Sequence, residues 1–147
     1  MRKMLLAGVA ALAVASATPA FADAREDLEA QGSEVCRQTL VRLAYIDKDA
    51  NSSFQTVSKY DDKDLPRASM TVKRLWVQAF EGVVKWYAQS QEVMTLRKMN
   101  KCPSYPEMER DRADITEEKV HRFEAILVKA QIWLALAENG EGPWATR

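Results

Sequence analysis

The chain of 147 residues predicts an all-α protein, a three- to four-helix bundle with one disulfide. Apolar residues recur every three or four positions over three long stretches, and no stretch alternates as a half-buried strand does. Two cysteines also stand in a chain that opens like an exported one.

That opening has three parts: a basic end at Arg2 and Lys3, an apolar run from Met4 to about Val14, and small residues leading to Ala20-Phe21-Ala22. The pattern is that of a secretory signal cut after Ala22. Its strongly apolar part, about a dozen residues, falls short of the roughly 20 a bilayer-spanning helix needs. Residues 1–22 are therefore expected to be a cleaved signal peptide and residues 23–147 a single helical domain, periplasmic or secreted, with no stable membrane insertion after cleavage. Cleavage removes Arg2 and Lys3 and leaves acids outnumbering bases by two, which gives no support for nucleic acid as a partner.

The first helix is expected from Leu28, Val35, Cys36, Leu40, Leu43 and Ile46, with Gly32-Ser33 as a break or a fresh cap. From Asp47 to Leu65 the long periodicity fades and Asp, Asn, Ser and Lys gather, so this reads as a connector holding a short helix around Phe54, Val57 and Tyr60. Pro66 suits the first turn of the next helix, with Asp64 as its cap. Val72, Leu75, Trp76, Ala79, Phe80, Val83, Tyr87 and Met94 carry that helix toward Asn100, across Gly82, which costs about 1 kcal/mol relative to alanine.

Cys102-Pro103-Ser104-Tyr105-Pro106 is an extended connector, because each proline disfavours helical geometry in the residue before it. The last helix is expected from Asp114, with Glu117 in capping-box spacing, through Val120, Phe123, Ile126, Leu127, Ala130, Trp133, Leu134 and Ala137, ending at Asn139-Gly140. Ile132 and Leu136 lie off its main stripe, so this helix is either the centre of the bundle or a self-association surface that would make a homo-oligomer.

Cys36 and Cys102 are expected to pair, closing a long loop worth about 4 kcal/mol in the chain-entropy model. A redox role would call for Cys-x-x-Cys, which is absent. Asp47, Asp49, Asn51, Ser53 and Gln55 have the spacing of calcium-loop ligands, but Ser52 stands where the loop needs glycine and Ser58 where it needs glutamate, so a solvated acidic turn is preferred. His121 is the lone histidine, too few for a zinc site. A haem held between His121 and a methionine is the weaker reading beside methionine as core filler, and no cofactor or metal is expected. A single histidine and the absence of a glycine-rich phosphate loop nominate no catalytic site.

Cys36 in the first helix, the Asp49-Ala50 and Ser53 stretch after it, and Lys101-Cys102 closing the second long helix form an arrangement that resembles the periplasmic immunity proteins of type VI secretion amidase effectors. The resemblance covers roughly half of the mature chain and supports the helical class. The segment after Cys102 has no counterpart in it, and it assigns no functional residue.

The expected activity is non-enzymatic binding of another protein in the periplasm, in its sharpest form as an inhibitor or immunity protein. The partner-binding candidates are Asp47, Asp49, Asn51, Tyr60 and Asp62 of the first connector, Tyr105 of the second, and Trp86, placed toward the surface beside Tyr87. Two alternatives are a stress chaperone that opens when its carboxylates protonate, and an accessory subunit of an exported complex.

Overall fold

The structure, a computed structural model, describes residues 25–146, so the signal segment expected over residues 1–22 lies outside the described residues. Among these the regular elements are five α-helices and no strand: α1 (Arg25–Ala30), α2 (Glu34–Lys59), α3 (Met70–Met99), α4 (Pro106–Glu109) and α5 (Glu117–Glu138). Two 3-10 turns, Leu65–Arg67 and Arg110–Arg112, lie between them. The Cys36–Cys102 disulfide forms, with a Cα–Cα distance of 5.4 Å.

Each long helix starts at a hydroxyl cap. Ser33, Ser69 and Thr116 accept from the backbone N–H of Cys36, Val72 and Lys119, and each such cap is worth about 1 kcal/mol. These caps revise two expected boundaries. Pro66 belongs to the 3-10 turn, where Asp64 makes no side-chain cap, and α3 starts only after Ser69. Asp114 does not cap α5; its carboxylate accepts from Lys119 Nζ at 2.8 Å, one turn into the helix.

The larger correction concerns the first connector. α2 does not end near Asp47 but continues unbroken to Lys59, so the expected acidic turn is helix. Ile46, Ala50, Phe54 and Val57 are all buried and keep helical spacing, while the polar residues between them occupy the outer faces.

α3 is the spine, with α2 packed along one side and α5 along another. It therefore buries more than one stripe, including Trp76, Val77, Phe80, Val83, Val84, Trp86, Tyr87 and Val93. Leu75, expected inside, is exposed. α2 and α3 approach so closely at Gly82 that an added Cβ would lie 2.2 Å from Ser53 Oγ and 2.9 Å from Ser53 Cβ. α5 is thus peripheral, and of its two expected roles the central one is not adopted.

Candidate functional site

The segment after α3 is placed by an arginine and a disulfide acting together. Arg97 is 2 % exposed, and its five N–H groups meet five acceptors. Nε donates to Glu109, Nη1 to the Cys36 carbonyl and Thr39 Oγ1, and Nη2 to Gln31 Oε1 and the Pro103 carbonyl. A turn with Lys101 at φ 50 brings Cys102 back: its N–H bonds the Arg97 carbonyl at 3.0 Å, and that of Lys101 bonds the Lys98 carbonyl at 3.1 Å. This is a Schellman end with lysine where glycine is usual.

Arg112 is a second buried cation. Arg112 donates to Ser90 Oγ, to the Met108 carbonyl and to Asp47 Oδ1, with its guanidinium 4.9 Å from the Trp86 ring centroid. Trp86 Nε1 donates to the same Asp47 oxygen at 2.7 Å. Burial pulls the Arg112 guanidinium below its usual value, and the Asp47 carboxylate opposes that shift.

These two clusters border a cleft of about 600 Å³ lined by Met94, Lys98, Glu109 and Ile115 as well as both arginines. Arg97 has no donor left for a ligand, so its role is internal.

Several sequence-predicted residues fall on these clusters and not on one surface. Trp86 is the plain correction: it is 2 % exposed and edge-on to Phe54, because its ring faces α2 and its N–H is satisfied inside by Asp47. Asp47 accordingly serves the core pair, while Asp49 is exposed and Asn51 half-buried on α2. Tyr105 is half-buried and donates to Asp27 Oδ2 at 3.1 Å; burial first, then the Asp27 carboxylate, pushes its phenol up. Tyr60 follows the last residue of α2 and packs on the core, so it lies at the other end of a helix about 39 Å long.

Asp62, by contrast, lines a concave site that sequence reasoning did not assemble. It is an apolar pocket of about 290 Å³ between the Leu65–Arg67 turn, α3, α5 and the C-terminal tail. Its walls are Trp76, Trp133 and Trp144 together with Leu65, Ile126 and Pro143; Asp62 and Lys129 bring opposite charges to it.

The tail closes this pocket through a defined turn. Gly140 at φ 76 follows α5, with Gly140 N–H bonded to the Ala137 carbonyl and Glu141 N–H to the Leu136 carbonyl. Both bonds are those of a Schellman end, which reverses the chain and brings Trp144 against the core. Lys73, fully buried, donates from Nζ to the Trp144 carbonyl at 2.5 Å. The Trp144 ring stands edge-on to Trp76, with centroids 6.1 Å apart, and to Trp133 at 5.8 Å.

Trp76 Nε1 is buried with no hydrogen-bond partner among the described residues. An unmet buried indole N–H costs about 1–3 kcal/mol, a cost carried inside the core behind the pocket wall. Rigid aromatic walls, a few polar groups and a volume near the lower bound for ligand sites suit one apolar or aromatic group. Lys129 Nζ lies 4.6 Å from the Trp133 ring centroid, which holds its charge beside the pocket.

Comparison of the chain with protein-family models, with curated proteins and with solved structures found no match in any of the three.

Proposed function

We propose that this is an exported, non-enzymatic protein-binding protein that seats an apolar anchor side chain of its partner in the tryptophan pocket. The observation that carries the reading is that pocket: a side-chain-sized recess with three tryptophan walls and the opposite charges of Asp62 and Lys129. Interface energy concentrates where a few aromatic groups enclose one anchor in a dry recess. The Lys73–Trp144 hydrogen bond and the tight turn after α5 hold the tail against the pocket before binding, which lowers the ordering cost. In its sharpest form the partner is an enzyme and this chain its inhibitor or immunity protein.

Immobilised, oxidised protein should retain one enzyme from periplasmic extract in equimolar amount and suppress its activity. Trp133→Ala removes a pocket wall and Asp62→Lys inverts the charge beside it. Both should lose retention while helical content stays. Equal retention by both variants would refute the pocket as the docking site, and recovery of many unrelated proteins would refute a dedicated partner.

A stress-chaperone reading draws on a different observation: both buried arginines are held in part by carboxylates, Asp47 and Glu109. Loss of either carboxylate partner would leave a buried cation unpaired and favour opening of the bundle. That reading requires apolar dye binding with retained helicity at acid pH, and an inert compact protein there removes it.

A further inference from the structure

The outer side of α5 carries its own ordered pattern. His121, Ala125, Val128, Ile132, Ala135 and Asn139 are all exposed, with Val128 at 53 % and Ile132 at 54 %. Their spacing alternates four and three residues over nearly three heptads, as at the a and d positions of a coiled coil. The side of α5 buried against α3 runs instead through Val120, Phe123, Ala130 and Ala137, roughly opposite by helix geometry. One helix thus carries two seams, and only the inner one is covered within the chain.

The residues flanking the outer seam differ in sign. One flank holds Glu117, Glu124 and Glu138, and the other holds Arg122 and Lys129. In a parallel pair, each residue on the first flank meets the residue five positions on in the other helix. That register sets Glu117 against Arg122 of the second copy and Glu124 against Lys129 of the second copy, and two-fold symmetry repeats both pairs. An antiparallel pair sets glutamates against glutamates and cations against cations. Among the described residues Arg122 pairs with Glu118 at an exposed 3.2 Å contact, which is weak enough to be shared.

We infer that the occupant of this face is a second copy of the chain, joined through α5 as a parallel two-fold dimer. The bodies of the two copies then lie on opposite sides of the helix pair. With only Val128 and Ile132 as sizeable seam residues, the dimer is weak and weakens further with salt.

Sedimentation equilibrium of the mature, oxidised protein tests this directly. A monomer–dimer equilibrium is expected, and Val128→Glu with Ile132→Glu should be monomeric with unchanged helicity. Glu124→Lys alone, or Lys129→Glu alone, should weaken dimerisation by about tenfold, since two attractive pairs become repulsive. Combining those two substitutions should restore it, because the exchanged charges at Glu124 and Lys129 face each other again across the parallel pair. A chain that stays monomeric at its solubility limit overturns the inference. So does a dimer that survives the double glutamate variant, or a combined charge swap that restores nothing.

Discussion

Arg97 donates from Nη1 to the backbone carbonyl of Cys36 at 3.1 Å, while the sulfur of Cys36 is bonded to Cys102. The covalent link and the arginine therefore hold the same two helix ends. Arg97→Ala would take their arginine donor from Glu109 Oε1, Gln31 Oε1 and the Pro103 carbonyl, and should cost about 3–5 kcal/mol in urea denaturation of the oxidised protein. Removing the disulfide alone should cost about 4 kcal/mol. The two losses should not add, because each constraint positions the other's partners. Additive losses would mean that the two constraints act independently.

Asp47 meets Arg112 and Trp86 in the interior, so its replacement should be read in stability before it is read in binding. Asp47→Ala should destabilise by about 3 kcal/mol, since Arg112 stays buried and loses its counter-charge. Combining Asp47→Leu with Arg112→Met should recover most of that loss in the same denaturation assay. Unchanged stability of Asp47→Ala would show that the carboxylate does not hold the core.

Lys101 occupies a left-handed backbone position at the end of α3, at φ 50. Lys101→Gly should raise stability by about 1 kcal/mol, by relieving the clash between its Cβ and the backbone. A rise in the thermal midpoint with the disulfide intact is the expected readout.

Gly82 gives the opposite sign. On helix propensity alone, Gly82→Ala would gain about 1 kcal/mol. The new Cβ would instead press on Ser53, whose own Cβ is 2.9 Å from it and cannot rotate away. A net loss of about 1–3 kcal/mol is expected. Ser53→Gly in the same chain should return part of it, which a double-mutant cycle would measure.

Tyr87 lies stacked on Phe123 at 4.5 Å, and its phenol is pushed up to about 12, first by burial and then by the Asp114 carboxylate. The unfolded chain ionises its tyrosines near pH 10, so the folded state holds the proton longer. The stabilisation this provides is complete below about pH 10 and is lost as pH rises through about 12. Unfolding free energy should fall across that window, and Tyr87→Phe should flatten the fall. A late phenolate absorbance step that vanishes in the same variant assigns it.

The helical class, the three long helices and the Cys36–Cys102 pairing were readable from the chain, because apolar spacing and cysteine count are local or arithmetic signals. The unbroken course of α2 was there as well, in Ile46, Ala50, Phe54 and Val57, but the dense polar residues between them imitate a connector. Of the proposed site, Asp62 alone was anticipated, since the three tryptophans of the pocket come from α3, α5 and the tail.

What the sequence by itself determined is where the chain becomes helical and which side of each helix is apolar, both set by spacing within a few residues. The tertiary structure decided which apolar faces meet, that α3 and not α5 is the spine, and that Lys73, Arg97 and Arg112 lie inside. No local pattern marks a buried cation. It is tolerated only where partners distant in sequence, such as Trp144 for Lys73, Cys36 for Arg97 and Asp47 for Arg112, converge on it once the helices have packed.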